Sequence, residues 1–548
     1  DSANMQQSFE HLPNAIDAFI QAYGPHRFER IGFNLVPFNS GAMEHATNIA
    51  YPRYAADGTF DSETLFAHEL AHHWWGNSVT CSDAPQMWLN EGWASYSERV
   101  FLEYVYGRER YLEDISANHL AVLHYAHLRD GDTLAINGVG HTKTYGMHVY
   151  DKGADVIHTL RGYMGDSAFF AATSSMIGSH LFENITTDIL KAHFQKYTTR
   201  DLTHFFDQWV NEPGFPAFDI IDWKVTPNQT GFTNNVVVRQ RTRFAPGFFT
   251  HVPMELMPVS ADFKTATIPV TLSGYETKLE FQTDFKPEII FIDPNQRISD
   301  AVTDRTMTIS DTGSYYFGDA LMDVNVTENT DSSWVRVEHY WVAPDAWFND
   351  EGNPFLSRER YWHVSGVWNP NLKASARIDY NGRNTGLNYP DGYFDNDLIR
   401  IREDSLVLMY RETASSPWRI YPDYTLVMGS PFDKRGSIEI STLKRGEYAL
   451  AMRDQQFLDI PWIRETMSIN YLTFQPNPAE GEITFQVHGA KKACLEITNS
   501  SGQVLLKQAI RSHDMKLKVD TSQWAKGVYY AGVVMDDQPY APKLFIVR

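Results

Sequence analysis

The stretch His68-Glu69-Leu70-Ala71-His72, followed later by Glu91 in Trp88-Leu89-Asn90-Glu91-Gly92-Trp93, has the residue types and spacing of a metal centre. In a helix, residues four apart stand one above the other, so His68 and His72 can both reach one ion. Glu69 sits one residue along from His68 and flanks that ion rather than binding it. Histidines at i and i+4 with an intervening Glu form the pattern of zinc-dependent peptidases. Two His and one Glu are a known catalytic zinc set, which leaves a position open for water and substrate. Glu91 opens a second apolar-periodic stretch and is the candidate third ligand. The expected cofactor is one zinc ion per chain.

Such residues need elements that hold them. Asp61 or Ser62 can cap the helix carrying His68 and His72. Glu91 opens a helix through Ser97-Glu98-Arg99-Val100-Phe101, and Ile31 to Phe38 reads as a strand leading into Gly41-Ala42-Met43-Glu44. Further helical patterns cover 153–164 and 188–197, and Pro213-Gly214-Phe215-Pro216 is a strong stop signal. After Pro216, β-rich runs such as Val236-Val237-Val238 and Glu288-Ile289-Ile290-Phe291-Ile292 alternate with Gly, Pro and Asn. Four domains are expected: 1–216 mainly helical, 217–310 a β-sandwich, 313–455 a second β-sandwich of immunoglobulin-like kind, and 467–548 a last β-sandwich, with a linker near Pro461. The Trp-rich run Trp341, Trp347, Trp362 and Trp368 reads as sandwich core.

The 548-residue chain is 43% hydrophobic and 14% aromatic, ample for large cores. Its 47 basic and 68 acidic residues give a formal charge of −21, which argues against nucleic acid as a partner. Two distant cysteines, Cys81 and Cys494, cannot build a disulfide framework. No apolar run of about 18 residues marks a membrane span. The chain opens at Asp1 and is expected to be processed or truncated.

Five parts in order resemble the gluzincin aminopeptidases, the group of aminopeptidase N and leukotriene hydrolase. They are Gly41-Ala42-Met43-Glu44-His45, His68 to His72, Trp74-Trp75-Gly76-Asn77, Asn90-Glu91-Gly92, and Val149-Tyr150-Asp151-Lys152-Gly153. Eighteen residues separate His72 from Glu91, the spacing of that family. The resemblance covers roughly 15 to 305. It implies a thermolysin-like α+β catalytic domain, here truncated at its N-terminus, because the family carries a β domain upstream and only 40 residues precede Gly41. The family motif usually ends in Asn where His45 stands, which bears on contacts to the substrate backbone.

The resemblance implies roles. Zinc is held by His68, His72 and Glu91; Glu69 is the general base; Tyr150 donates to the oxyanion. Glu44 pairs with the free α-ammonium of a peptide, and the backbone of Gly41, Ala42 and Met43 pairs with substrate as an added strand. Glu98, two turns after Glu91, is a candidate partner for a zinc-bound His, and Tyr145 is a further candidate facing the site. Plainer readings stand beside these: Glu44 as a strand-end carboxylate, Tyr150 as a buried aromatic, Glu98 as a helix-pairing charge. His45, His73, His119, His124, His127, His141 and His148 are given no role, and Cys81 reads as a small buried residue.

Phe474-Gln475-Pro476-Asn477-Pro478-Ala479, Ser501-Gly502-Gln503-Val504, Gly527-Val528-Tyr529-Tyr530 and Lys543-Leu544-Phe545-Ile546 resemble the type IX secretion sorting domain of Bacteroidetes. That resemblance implies export by the type IX machinery to the surface or medium. The sequence reading is a secreted zinc aminopeptidase acting on peptides with a free N-terminus. The alternatives are an epoxide hydrolase of the leukotriene-hydrolase type and a surface adhesion protein with a vestigial peptidase domain.

Overall fold

Apolar residues at three- and four-residue spacing make the helix Leu12–Tyr23, which buries Ala15, Ala18, Phe19, Ala22 and Tyr23 along one stripe. The computed structural model describes every residue except 1, 346–353, 384–393, 400–401, 454–471, 488–492, 500–502, 511–515 and 536–537. The chain divides into two units, Asp1–Gln455 and Gln456–Arg548. The expected linker near Pro461 lies outside the described residues, as does Trp347.

In the first unit, helices dominate as far as Phe205, with two short parallel strand pairs, Phe33–Val36 with Ile49–Pro52 and Val79–Cys81 with Glu183–Ile185. Four helices place the chemistry. They are the histidine helix Glu63–Ala71, the glutamate helix Glu91–Tyr106, its antiparallel neighbour Arg108–Arg129, and the tyrosine helix Asp151–Met164. The glutamate helix packs against the other three and against Leu12–Tyr23. It therefore carries little amphipathic contrast and is buried almost all round.

Local signals set these helices in place unevenly. Ser62 stands at the N-cap of the histidine helix but makes no side-chain cap bond, contrary to the sequence expectation. The first turn is instead held through Glu63, whose carboxylate lies 2.9 Å from both His11 Nδ1 and the Tyr106 hydroxyl. A carboxylate there also suits the positive end of the helix dipole. The glutamate and tyrosine helices cross at two glycines. A Cβ on Gly153 would stand 2.9 Å from Gly92 Cα, and one on Gly92 would stand 3.1 Å from Gly153 Cα. Both belong to the motif segments, and their contact brings Glu91 and Tyr150 to one place.

From Phe215 the described residues of this unit are strands and loops, with one short helical turn at Gly318–Ala320. Strands Phe215–Pro227, Phe232–Arg243 and Glu276–Thr283 form one antiparallel sheet, and Pro287–Ile292, Val252–Ser260 and Ile268–Leu272 another. Val302–Ile309, expected to close this first sandwich, pairs in full register with Ser333–Tyr340 and belongs to a seven-stranded sheet with the strands that follow. A five-stranded sheet accompanies it. Trp341 and Trp362 are buried, as the core reading of the Trp run requires, whereas Trp368 is half-buried. Cys81 is half-buried rather than buried.

A polar seam ties the tyrosine helix to the loop ahead of Val302. His158 Nε2 lies 2.8 Å from the Gln296 carbonyl, Ser299 N–H donates to Thr159 Oγ1 at 3.0 Å, and Arg297 Nη2 donates to the Gly162 carbonyl at 2.8 Å. His119 Nε2 lies 2.5 Å from the Asp300 carbonyl.

The second unit holds a three-stranded and a four-stranded antiparallel sheet. Leu472, Ile483 and Phe485 from the first share a core with Leu495, Ile497, Tyr529 and Phe545 from the second. That is the layout of a β-sandwich.

Gly153→Ala tests the helix crossing. The added methyl is expected to destabilise the chain by about 1–3 kcal/mol, read by denaturant unfolding.

Candidate metal centre and catalytic cleft

His68 is the sixth residue of its helix, and His72 follows the helix's last residue with helical φ/ψ of −58° and −21°, so the i, i+4 stacking holds. Glu91 is the first residue of the facing helix. His68 Nε2 and His72 Nε2 are 3.2 Å apart, and Glu91 Oε2 lies 3.3 Å from the first and 3.2 Å from the second. All three residues are buried. Among the described residues, no other three His, Cys, Asp or Glu side chains bring donor atoms this close.

The other ring nitrogens decide what these atoms offer. His68 Nδ1 is 2.9 Å from Glu98 Oε1, and His72 Nδ1 is 2.9 Å from the Trp75 carbonyl. Both partners are acceptors only, so each Nδ1 carries a proton and donates it. With Nδ1 protonated on both rings, the Nε2 lone pairs and the Glu91 carboxylate face one another. Something positive must lie between them. A proton serves: burial opposes charge on His68, but its hydrogen bonds to Glu91 and Glu98 prevail and lift its pKa to about 10. A zinc ion serves better. Donors bound at about 2.0 Å in a tetrahedron lie about 3.3 Å apart, the separation found here. The donor set therefore fits zinc.

The second support is set by aromatic packing. Trp75, whose carbonyl holds His72, stacks on Trp93 of the glutamate helix with centroids 3.9 Å apart and planes 13° apart. Such a stack adds about 0.5–1.5 kcal/mol beyond the area it buries. Glu98 is held in turn by Arg99, whose Nη1 lies 3.3 Å from Glu98 Oε2.

The three donor residues open on a cleft of about 700 Å³. Gly41, Ala42, Met43, Glu44, Glu69, Glu98, Tyr145 and Tyr150 all line it. Glu69 is buried, and its Oε2 has no hydrogen-bond partner among the described residues. Burial, with Glu44 and Glu91 adding and the two histidines opposing, pushes the Glu69 carboxyl up to about 7. A divalent cation beside it would draw that value down. Glu91 is held well below the carboxylate range: burial opposes this, but His72 and His68 outweigh it. The Tyr150 ring lies parallel to His68, centroids 6.0 Å apart. Burial, then Glu91, raises its phenol far above the usual value, so it stays a proton donor. Tyr145 is 72% exposed and 6.4 Å from Tyr150.

Two details differ from the sequence reading. Met43 already uses its backbone N–H and carbonyl in a bridge to Ala50 at 2.9 Å each way, whereas no backbone bond is found for Gly41 or Ala42 among the described residues. The cleft also contains Thr64, Ser95, Arg99 and Met147, which no motif marked, and Asp151, which lies in a motif but was given no role. Asp151 is pushed up to about 6 by burial, against the pull of Arg99.

Residues 5–209 match the peptidase family M1 domain, and residues 473–547 match the secretion system C-terminal sorting domain. Aminopeptidase N of Lactococcus lactis subsp. cremoris is 28% identical over 214 residues, 36% of this chain and 25% of that protein. Aminopeptidase M1 of Arabidopsis thaliana is 26% identical over 239 residues, 40% of this chain and 27% of that protein. The chain thus spans about a quarter of the length of the curated relatives it matches. Among solved structures, Legionella pneumophila aminopeptidase A in complex with aspartic acid aligns with a TM-score of 0.43 at 16% identity, over 54% of this chain and 35% of that one.

Two outcomes are expected of the metal centre. Glu98→Ala should weaken zinc affinity by about 10–100-fold, read by chelator competition. Zinc must displace the proton that His68 binds with a pKa of about 10. Affinity should therefore rise with pH between 6 and 8, by up to about tenfold per unit from this group alone.

Proposed function

We propose that the chain is a secreted zinc-dependent aminopeptidase that hydrolyses the first peptide bond of peptides. The observation that carries the reading is the placement of Glu44 and Glu69 in one cleft with His68, His72 and Glu91. His68, His72 and Glu91 would hold the zinc. Bound there, it supplies a Lewis acid that lowers the pKa of water from about 16 to about 7.

The chain's own residues do the rest. Glu69 Oε2 takes the proton of the attacking water and later returns it to the leaving amine. The Tyr150 hydroxyl donates to the oxygen of the scissile carbonyl as negative charge develops on it. Glu44 pairs with the α-ammonium of the substrate, a charge-assisted hydrogen bond that an internal peptide cannot make. Gly41 and Ala42 offer the substrate strand a backbone that has no partner among the described residues. Tyr145, with most of its ring exposed, forms the outer wall.

The helical part is read as a thermolysin-like catalytic domain over 1–216, followed by β-sandwiches over 217–310 and 313–455 and the sorting domain over 467–548. The pairing of Val302–Ile309 favours moving the second boundary to near 301. The sorting domain supports export through the type IX machinery to the surface or medium of a Bacteroidetes-type bacterium. The chain has no helix among its described residues long and apolar enough to cross a membrane. The epoxide-hydrolase and adhesion readings gain no support from the aminopeptidases that the chain resembles.

Amino-acid anilides with a free amine should be cleaved, and their N-acetyl forms should not. Glu69→Gln should abolish turnover while zinc content stays at one per chain. Glu44→Ala should raise KM for free-amine anilides by about 10–100-fold, again with zinc retained. Turnover of N-acetyl anilides at the same rate would refute the exopeptidase reading.

A further inference from the structure

Tyr145, Gly146 and Met147 supply one wall of the cleft. They lie between the helix Arg108–Arg129 and the tyrosine helix, on a segment whose regular structure is one short turn, His141–Lys143. The grip on this wall comes from Asp130, a buried residue just past the C-terminus of Arg108–Arg129. Its carboxylate accepts the backbone N–H of Met147 at 3.1 Å, the backbone N–H of His148 at 2.9 Å and the His148 Nδ1–H at 2.6 Å. Gly146 lies flat on the same group: a Cβ there would meet Asp130 Oδ1 at 2.6 Å and Oδ2 at 2.7 Å.

The other side of His148 is fixed as well. Its Nε2 accepts the Leu134 N–H at 3.2 Å, so the ring is neutral, with its one proton directed at Asp130. The Leu134 carbonyl accepts from Lys152 Nζ at 3.0 Å, which closes the loop back onto the tyrosine helix. The gripped turn delivers Tyr150. The Gly146 carbonyl accepts the amides of Val149 at 3.0 Å and Tyr150 at 3.2 Å, and the Met147 carbonyl accepts that of Lys152 at 2.9 Å.

We propose that Asp130 is a positioning residue for the reaction. It does not line the cleft, but it sets the turn 146–150 and through it the place of the Tyr150 hydroxyl and the Met147 wall. The proposal rests on the aminopeptidase reading of the cleft. A carboxylate is required because three donors converge on it. An amide at this position would set its own N–H₂ against one of them.

The test compares Asp130→Asn and Asp130→Ala with wild type, alone and combined with Tyr150→Phe. Zinc content and amide protection in Glu91–Tyr106 should be unchanged, which shows that the chain folds. The kcat for a free-amine anilide should fall by about 10–100-fold, with KM within about twofold. In the Tyr150→Phe background the same changes should alter kcat by less than about twofold, because their effect passes through the phenol. The amides of Met147 and His148 should lose protection from hydrogen exchange. A full additional loss of kcat on top of Tyr150→Phe overturns the proposal. So does unchanged protection at Met147 and His148. Wild type that holds zinc but cleaves no anilide overturns the aminopeptidase reading and the catalytic half of this proposal, while the exchange experiment still decides whether Asp130 holds the turn.

Discussion

Two imidazole lone pairs and a carboxylate, buried and 3.2–3.3 Å apart, repel one another unless positive charge lies between them. The surrounding structure serves that arrangement. Glu98 and the Trp75 carbonyl keep the protons of both rings on the far side. The Trp75–Trp93 stack fixes the carbonyl, and the contact of Gly92 with Gly153 lets two helices approach closely enough for Glu91 and Tyr150 to share a cleft. Leaving a buried charge unpaired is costly, so the fold and the ion are coupled: each favours the other.

The part of the site legible in sequence is the part that rides on helix periodicity. His68 and His72 at four residues, and Glu91 and Glu98 at seven, fall on shared faces whatever their neighbours are. Glu69 comes from the zinc-peptidase spacing, Glu44 and Tyr150 from motif resemblance and Tyr145 as a further candidate, and all four line the same cleft. What stayed hidden is carried by backbone atoms, which have no letter in a sequence. The carbonyl that orients His72 could belong to any residue at position 75. Asp130 is equally silent, since its partners are amides 17 and 18 residues further on.

The β part shows a second limit. Val302–Ile309 falls inside the first expected sandwich, 217–310, although no run within it was singled out as a strand. Its partner is not written in it. The choice between closing one sheet and opening the next depends on Ser333–Tyr340, whose own register was not visible from the first run. Similarly, Ser62 has the right chemistry for a cap, but the first turn is held by His11 and Tyr106 acting on Glu63. Long-range partners outcompete a local propensity worth about 1 kcal/mol.

The seam along the tyrosine helix alters what a domain boundary means in this chain. His158, Thr159 and Gly162 satisfy polar groups of Gln296, Ser299 and Arg297, well past the end of the matched peptidase segment at 209. A fragment ending at Pro216 would leave that flank of the helix facing water, with the Gly162 carbonyl and both side chains stripped of their mates. The helical half and its β neighbour are thus separable on paper but share one set of fasteners, and shortening the protein to a smaller folded piece means keeping at least the strap that runs through Arg297.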